Sequence, residues 1–488
     1  MTQSLPHALL SVYDKTDLLD VARLLTQRGW TLLSTGGTRA HLVDHGIDVV
    51  EVCDHTGSPE MFHGRVKTLH PLIHAGILAR RDYPEDMRQC VEQGVAPIGV
   101  VVANLYPFEQ VVEQTPQEHA RILEHIDIGG PTMVRAAAKN HAHVVVLTHP
   151  QDYPLLERAL DPEGGLPTRR LLAARAFART ARYERAIAGY FDPAQELRYG
   201  ENPHQSATLR GGGAIEQLHG KALSYNNILD ADAAILLSRE FERPCVAIIK
   251  HTNPAGAACA PTLEQAYVDA LACDAKSAFG GIVACNRVVD GSLARRMEAH
   301  FFEVIAAPGF SDEAMEVLTR KKNLRLLKLP EVLSAPTHQT RQTVFGELEQ
   351  QVDPPVASWG ADWEVVCGEL DAQTKASLLF AWRVVKHVKS NAIVLAHGTR
   401  TVGVGAGQMS RVDAVALAIE KSLEPLEGSV LASDAFFPFA DGPELAIDAG
   451  VRAIIQPGGS RRDAEVIQAC RARGVTLVMT GRRHFRHG

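Results

Sequence analysis

The residues best suited to chemistry in this sequence are a lysine and a histidine that stand side by side after an apolar segment. Residues 245–249 are predicted to form a buried strand, and Lys250 and His251 follow it directly. Neutral histidine takes up a proton near pH 7, and lysine carries a compact positive charge. At the carboxyl end of a core strand, both side chains can face a ligand crevice. The pair therefore predicts a general base beside an electrostatic stabiliser.

Two further segments are suited to binding an anion. Residues 34–38 join a predicted strand to a predicted helix, where glycine N–H groups can approach a phosphate and hydroxyl groups add donors. Many strand–helix turns have this composition without binding a ligand. Arg65, Lys67 and His70 place three potential cations close together, without acidic partners nearby. They form either a solvated basic loop or a phosphate clamp.

Other polar residues lie at the ends of predicted elements. Tyr106 follows a predicted strand as either an amphipathic rim residue or a ligand contact. Asp127 precedes a predicted helix at 133–139 and can accept a hydrogen bond from a substrate. Lys139 ends that helix, where it also complements the helix dipole. Residues 197–205 are either a domain linker or a polar, aromatic binding segment.

The elements that must position these residues follow an α/β pattern. The first third alternates strand and helix signals, with apolar strands predicted at 7–12, 31–33, 99–105 and 143–147. Valine-rich runs of this kind suit a parallel sheet covered on both faces. Residues 151–196 are predicted to be mainly helical, which puts a domain boundary near 192–197. The remainder mixes strands and helices, and 325–365 is predicted to be turn-rich and irregular.

Composition narrows the functional class. The 488 residues allow two or three domains. A net charge of −7 argues against nonspecific nucleic-acid binding but not against a local basic pocket. The eight cysteines form no Cys-x-x-Cys pair, so buried free thiols in a reducing cytoplasm are expected. Neither a signal peptide nor a membrane span is predicted. Motifs for metal hydrolysis, serine hydrolysis and P-loop phosphoryl transfer are missing, and no catalytic metal is expected.

Taken together, these segments closely resemble the family of bifunctional purine biosynthesis enzymes that join AICAR formyltransferase to IMP cyclohydrolase. The resemblance covers nearly the whole chain, in the family's order, through residues 11–16, 64–71, 126–130, 136–141, 197–205, 250–254, 405–411, 433–439 and 483–487. It implies an α/β fold with two parts. A methylglyoxal-synthase-like parallel α/β sandwich is expected in residues 1–195. A transformylase region of two cytidine-deaminase-like α/β subdomains, without their zinc, is expected in residues 196–488.

The resemblance also implies the formyl-transfer reaction. The formyl group of 10-formyltetrahydrofolate passes to AICAR, giving formyl-AICAR and tetrahydrofolate. His251 is expected to take the proton of the attacking amine, and Lys250 to stabilise charge on the tetrahedral intermediate. The matching positions predict contacts to AICAR or folate at Arg198, Tyr199, His204, Asn227, Gly280, Glu303, Asn391, Arg411, Phe436, Asp441, Ser460, Arg461 and Arg483.

For the second reaction, the resemblance implies dehydrative ring closure of formyl-AICAR to IMP. Lys139 matches the family's proton-transfer lysine. Lys67, Tyr106 and Asp127 match the residues that polarise and hold the reacting groups. The nucleotide cradle is expected at Ser11, Lys15, Ser34, Thr35, Gly36, Gly37, Thr38, Arg65, Thr68 and Asn104.

Two departures from the family pattern affect the cradle, where Tyr13 replaces the usual serine and Asp17 the usual glycine. One alternative is therefore a formyltransferase whose N-terminal domain only senses nucleotides. A wholly non-catalytic nucleotide sensor is a further alternative, which the retained lysines and histidine disfavour. The resemblance also implies a cytosolic homodimer with transformylase sites across its interface, and neither nucleic-acid nor membrane partners.

Overall fold

The structure is a computed structural model that describes residues 6–192, 194–211, 213–333 and 336–487. Contacts divide the chain into two compact units, Met1–Pro193 and Ala194–Gly488. Each unit has its own principal β-sheet and its own hydrophobic core.

The first unit contains a parallel sheet in the order β3-β2-β1-β4-β5. Its strands are β1 His7–Ser11, β2 Thr31–Ser34, β3 Val50–Glu51, β4 Ile98–Ala103 and β5 Val145–Leu147. Its helices are α1 Leu18–Gln27, α2 Gly36–Asp44, α3 Val52–Thr56, α4 Pro71–Leu78, α5 Pro84–Glu92, α6 Phe108–Gln114, α7 His119–Glu124, α8 Gly129–Lys139, α9 Leu156–Ala159 and α10 Leu166–Phe191, with short 3₁₀ helices at Phe62–Gly64 and Pro150–Leu155.

The valine-rich strands of this unit are buried on both faces, which confirms the predicted parallel sheet. Helix α8 begins four residues before its predicted start, at Gly129 instead of 133. The glycine pair adopts helical geometry because the carboxylate of Asp127 accepts a hydrogen bond from the Gly130 N–H at 2.8 Å. This bond satisfies one of the donors that a helix start leaves unpaired.

The second unit contains most of the strands. They are β6 Gln195–Leu197, β7 Ala207–Leu209, β8 Glu216–His219, β9 Cys245–Lys250, β10 Asn253–Cys259, β11 Gly281–Cys285, β12 Phe302–Ala307, β13 Arg325–Lys328, β14 His338–Thr343, β15 Gly346–Gln351, β16 Glu364–Cys367, β17 Ile393–His397, β18 Arg400–Gly405, β19 Val430–Ser433, β20 Ala453–Gln456 and β21 Thr476–Met479. Its helices are α11 Tyr225–Ser238, α12 Leu263–Cys273, α13 Ala275–Ala278, α14 Gly291–Glu298, α15 Asp312–Leu318, α16 Ala372–Val385, α17 Arg411–Glu420, α18 Asp441–Asp448 and α19 Asp463–Ala472.

Twelve of the described strands in this unit form one mixed sheet in the order β16-β21-β20-β19-β17-β18-β10-β9-β11-β12-β13-β8. Its two halves repeat one topology. Each half begins with an outer strand and a helix, continues with an antiparallel hairpin, and ends with three strands joined through helices. The halves meet where β10 pairs with β18 in antiparallel orientation. The two predicted subdomains therefore share a continuous sheet.

Alternating strand residues supply the cores on the two faces of this sheet. Ala247 and Ile249 of β9 join a core that both halves share beneath α11 and α16. Val246 and Ile248 point to the other face and join a core confined to the first half. The second half has a separate core on that face. The turn after β9, which carries His251, is thus anchored by a strand buried on both sides.

Two local predictions in this unit are wrong. Residues 338–351 are not irregular but form the β14–β15 hairpin. Its strands are exposed and polar on both faces, so they lack the apolar alternation that predicts a strand. The strand predicted at 245–249 also ends one residue too early, because β9 includes Lys250, and the unpredicted strand β10 begins at Asn253.

Two expectations about residue environment can also be compared with the structure. Among the described residues, none of the helices has the length and apolar character needed to span a membrane. All eight cysteines are free thiols, and seven of them are buried.

Candidate functional site

In the first unit, the predicted cradle residues collect at one edge of the parallel sheet. Strands β1, β2 and β4 end at Ser11, Ser34 and Ala103, so their carboxyl ends share this edge. Asn104 and Tyr106 follow β4 directly. This is the edge at which open α/β sheets bind ligands.

The hydroxyl groups of the 34–38 turn have different roles. Ser34 Oγ donates to the Leu10 carbonyl at 2.7 Å, and Thr38 Oγ1 donates to the Val12 carbonyl at 2.9 Å. These two hydroxyl protons therefore hold the turn against β1. The buried Thr35 Oγ1 has no hydrogen-bond partner within the described residues. The Thr35 hydroxyl and the backbone N–H groups at the start of α2 are therefore available to bind an anion. Gly36 and Gly37 form the first turn of α2.

Asn104 fixes the loop that carries the unusual Tyr13. Its side-chain oxygen accepts from the Tyr13 N–H at 2.6 Å and the Asp14 N–H at 3.0 Å, and its amide donates to the Asp14 carbonyl. Lys15 Nζ donates to the Tyr13 carbonyl at 3.2 Å. The Tyr13 ring contacts Tyr106 edge-on, with the ring centroids 5.8 Å apart. Tyr13 therefore lies at the cradle and leaves its backbone network intact.

The basic loop has acidic partners, contrary to the sequence-based expectation. Lys67 Nζ lies 3.1 Å from Glu60 Oε1, and Arg65 pairs with Glu124. Lys67 nevertheless faces the cradle, because a Cβ atom at Gly36 would lie 3.6 Å from its ammonium group. An anionic ligand bound there would compete with Glu60 for Lys67.

The Tyr106 hydroxyl lies within electrostatic reach of both Asp127 and Lys67. Burial raises the pKa of Tyr106, the Asp127 carboxylate raises it further, and Lys67 opposes the rise. Burial also raises the pKa of Asp127, against hydrogen bonds from the backbone N–H groups of Gly130 and Tyr106. A carboxyl group with a raised pKa exchanges protons more readily near neutral pH. Thr68 is buried.

Lys139 is not brought to this cluster within the unit. It ends α8, whereas Asp127 binds the N–H of Gly130 at the start of that helix. Ten helical steps separate Gly129 from Lys139, a rise of about 15 Å. The chain then leads directly into β5, so Lys139 lies at the amino-end edge of the sheet. Within the described residues, its ammonium group has no hydrogen bond or ion pair.

In the second unit, Lys250 and His251 occupy a tight hairpin. Lys250 pairs with Asn253 across the β9–β10 ladder, so His251 and Thr252 form a two-residue loop. Both loop residues have positive φ, +51° and +61°. This left-handed conformation costs about 1–2 kcal/mol for each non-glycine residue. His251 is exposed at the tip of the turn and, with Lys250, lines a cavity of about 230 Å³.

Lys250 is held by a neighbouring loop that carries another predicted residue. Its Nζ donates to the Gly280 carbonyl at 2.9 Å, and Gly280 has a φ of +66°. Near the same end of the neighbouring strands, Asn227 Nδ2 donates to Glu303 Oε2 at 2.8 Å. Gly280 immediately precedes β11, and Glu303 lies in β12 next to it. The structure thus brings four predicted residues to one end of the sheet's first half: Lys250, Gly280, Asn227 and Glu303.

A second cavity, of about 400 Å³, lies in the other half of the sheet. Five predicted contacts from separate segments line it: Asn391, Arg411, Phe436, Asp441 and Arg483.

Within that cavity wall, Arg411 is buried and satisfied by the protein. It donates to Asp434, Ser433 and the Asn391 side-chain oxygen. Its guanidinium therefore fixes Asn391 in the wall, and its role toward a ligand is mainly structural.

The other predicted contacts lie on the surface of this unit. Arg198 donates to the Tyr199 hydroxyl at 2.6 Å and packs over its ring. His204 is exposed in the same segment, which Asn226 ties to the start of α11. Ser460 accepts from the Arg462 N–H beside the exposed Arg461, and the Arg462 guanidinium packs over the cavity residue Phe439.

Two side chains that contact the predicted site segments were not predicted from the sequence. Glu60 partners Lys67, and Asp230 Oδ1 accepts the Thr252 N–H at 2.6 Å. Asp230 lies three residues after Asn227, on the same face of α11. That spacing is the only signal in the sequence that pointed to it.

Fold and sites define a two-unit α/β enzyme with a predicted anion cradle in one unit and a lysine–histidine turn in the other. A model of the AICARFT/IMPCHase bienzyme family matches residues 137–421, and an MGS-like domain model matches residues 17–132. The bifunctional purine biosynthesis protein PurH of Cutibacterium acnes is 47% identical over 515 residues, covering 99% of both chains. The protein of the same name from Chloroflexus aurantiacus is 50% identical over 506 residues, covering 98% of both.

The chain belongs to the AICARFT/IMPCHase bienzyme family. It is a bifunctional AICAR formyltransferase and IMP cyclohydrolase of de novo purine biosynthesis, which acts on nucleotide substrates and requires a formyl donor. The predicted family, α/β fold class and pair of activities are confirmed.

Proposed function

We propose that the two reactions are divided between the two parts of the chain, with ring closure in residues 1–195 and formyl transfer in residues 196–488. Support comes from the separation of the site residues. The cradle, Lys67, Tyr106 and Asp127 belong to the first unit, whereas Lys250, His251 and both cavities belong to the second.

For formyl transfer, we propose 10-formyltetrahydrofolate as the donor. The exocyclic amine of AICAR attacks the formyl carbon, and His251 takes the amine proton. The bond from that carbon to the folate nitrogen then breaks, and the departing nitrogen takes up a proton. Lys250 stabilises negative charge on the tetrahedral oxygen. Its fixed ammonium group, held by the Gly280 carbonyl, supports this role.

The observation that carries this proposal is the convergence of separate segments on one cavity. Residues from four segments of the second half line the same space, and its wall includes four phenylalanines and Arg483. Aromatic walls with a few polar groups suit a flat heterocycle with an acidic tail. We propose that folate binds here, with Asp441 contacting the heterocycle and Ser460 and Arg461 lying at the rim. Arg198, Tyr199, His204, Asn227 and Glu303 are proposed to contact AICAR.

For ring closure, we propose that Lys67, Tyr106 and Asp127 hold and polarise the reacting carboxamide and formyl groups. The carboxamide nitrogen attacks the formyl carbon, and the adduct loses water. Orientation of groups already in one molecule supplies much of the rate. The phosphate is placed at the start of α2, with Thr35 as a donor and Ser11, Lys15, Arg65 and Thr68 around it. Lys139 is kept as the proposed proton-transfer residue, although its position at the opposite sheet edge does not support it.

We also propose a cytosolic homodimer. The β14–β15 hairpin projects with Val344 and Phe345 at its tip, 98% and 97% exposed. An apolar tip of this kind is covered when a second copy of the chain packs against it.

Single substitutions test the division of labour. His251→Ala is expected to abolish formyl transfer and leave closure of supplied formyl-AICAR intact, measured by steady-state absorbance. Lys67→Ala and Lys139→Ala are each expected to do the reverse. Loss of both activities in a folded variant would contradict the two-site proposal. Unimpaired closure in Lys139→Ala alone would remove only that residue from the mechanism.

A further inference from the structure

We infer that Asp230 is a positioning residue of the formyl-transfer reaction, because it holds the turn that presents His251. This inference rests on the proposed role of His251 as the base. It concerns a residue outside the predicted sites, on a different element from the turn.

The turn needs support because its residues do not favour its shape. A two-residue hairpin loop with positive φ at both positions normally contains Asn, Asp or Gly. Here the loop residues are His251 and Thr252, and threonine is β-branched, which makes a positive φ especially unfavourable.

The corresponding turn in the second half of the sheet shows the ordinary solution. Strands β17 and β18 are also joined by two residues, and Gly398 supplies the positive φ of +58° there. Glycine adopts this conformation without steric cost. His251, at the equivalent position of the first half, therefore adopts a backbone conformation that histidine does not favour. Such strain is common where function requires a particular side chain.

Three side chains hold the strained turn. Thr252 Oγ1 and Asn253 Nδ2 both donate to the His251 carbonyl, at 2.7 Å and 3.1 Å. Asp230 Oδ1 accepts the Thr252 N–H at 2.6 Å. The first two bonds lie within the hairpin itself, whereas Asp230 belongs to the 14-residue helix α11. Asn253 also contacts an outside segment, since its Oδ1 accepts the Lys389 N–H at 2.9 Å. Of the three side chains, Asp230 is the one that binds the backbone of a loop residue from outside the hairpin, and its carboxylate makes the bond charge-assisted.

Loss of this bond lets the turn relax and moves the imidazole away from its place. Displacement of a catalytic group by about 1 Å costs on the order of 100-fold in rate. Asp230→Ala is therefore expected to lower the kcat of formyl transfer by roughly 10- to 100-fold, with little change in the KM for AICAR. Ring closure, which uses residues of the first unit, is expected to stay unchanged and reports intact protein.

Two rescue variants distinguish positioning from other roles. Asp230→Asn retains a side-chain oxygen that can accept the Thr252 N–H, so most of the activity is expected to remain. In the double variant Asp230→Ala with Thr252→Gly, glycine relieves part of the strain, and kcat is expected to rise several-fold above Asp230→Ala. Asp269→Ala is the matched control, since its carboxylate accepts from Gln265 within its own helix and full activity is expected.

Each outcome decides the inference. A wild-type kcat in Asp230→Ala overturns it. An equal loss of kcat in Asp230→Asn and Asp230→Ala, with no recovery in the Thr252→Gly double variant, would mean that the charge of Asp230 matters and not its hydrogen bond. That result also overturns the inference. If Asp230→Ala is insoluble, the double variant decides alone, and an inactive soluble double variant counts against positioning. His251→Ala separates the two proposals: an active His251→Ala refutes the base role, whereas inactive His251→Ala beside active Asp230→Ala refutes only the positioning role.

Discussion

Removal of the buried carboxylate of Glu240 is expected to destabilise the second unit strongly. Glu240 Oε1 lies 2.5 Å from Lys386 Nζ and 3.0 Å from His387 Nε2, and Oε2 accepts the Val356 N–H. All three ionisable side chains are at least 93% buried. The group links the residues that follow α11 to those that follow α16, beneath the core shared by both halves.

The size of the effect follows from this burial. Glu240→Gln leaves Lys386 without its counter-ion in a site that water does not reach. His387 does not compensate, because burial lowers its pKa and favours the neutral ring. Removal of one partner from a buried pair costs about 3–5 kcal/mol, because an uncompensated charge remains. We expect a loss of this size in the free energy of unfolding and a fall in Tm on the order of 10 °C.

Urea unfolding followed by tryptophan fluorescence measures this loss. Three of the four tryptophans, at positions 359, 363 and 382, lie in the second unit, and their rings contact one another. Glu313→Gln is the matched control, because its pair with Arg295 is more than half exposed and contributes at most about 1 kcal/mol. A Glu240→Gln variant no less stable than Glu313→Gln would refute the reasoning.

The pH dependence of stability is a second test of the role of Glu240. Burial alone would raise the pKa of Glu240, but His387 and Lys386 outweigh it and lower the pKa from 4.5 to about 2. A lowered pKa means that the folded state favours the charged form. Its contribution is therefore present above about pH 4.5 and is lost as the pH falls toward 2. Stability of Glu240→Gln is expected to fall less steeply across that range, and equal slopes would contradict the assignment.

Three further predictions concern the sites and the interface. Gly280→Ala places a Cβ atom 3.2 Å from Lys250 Nζ at a φ of +66°. The rate of formyl transfer is therefore expected to fall at least about tenfold while ring closure persists. A formyl-transfer rate equal to that of the wild type in steady-state assays would contradict this. Glu60→Gln removes the carboxylate that pairs with Lys67. IMP binding measured by calorimetry is expected to tighten by no more than about fivefold, with a smaller gain at high salt. Weaker binding would show that Glu60 contributes to IMP binding. Phe345→Ser is expected to weaken self-association in sedimentation equilibrium, and an unchanged dimer would place the interface elsewhere.

Strands β1, β2, β4 and β5 of the first unit could be predicted because they are continuous apolar runs, whereas the two-residue β3 was missed. Strand β10 was missed because Pro254 and Gly256 are typical of turns. The structure accommodates both in a ladder whose register shifts between them. The exposed β14–β15 hairpin was missed for the opposite reason, since polar residues fill both of its faces. Local composition thus predicts strands that are continuous apolar runs. It does not predict a buried strand that contains proline and glycine, or an exposed polar strand.

The site residues show the same division between local and distant information. Lys250 and His251 are adjacent in sequence, so their association needed no fold. Their hydrogen-bond partners are distant in sequence. Asp230 accepts the N–H of Thr252, 22 residues away, and the Gly280 carbonyl accepts from Lys250, 30 residues away. Glu124 lies 59 residues from Arg65. A motif therefore predicts which groups react, whereas the groups that orient them become visible only when the chain is folded.

The repeated topology of the second unit makes the differences between its two halves visible. Both halves build the same hairpin, but the first half places Lys250 and His251 in it and the second half places Gly398 there. The second half instead forms its cavity from the segments that follow β18, β19 and β21. A turn that holds a histidine at positive φ is strained, whereas a cavity needs a stable wall. Confining the strained turn to one half leaves the other half free to keep the low-cost turn and supply the wall.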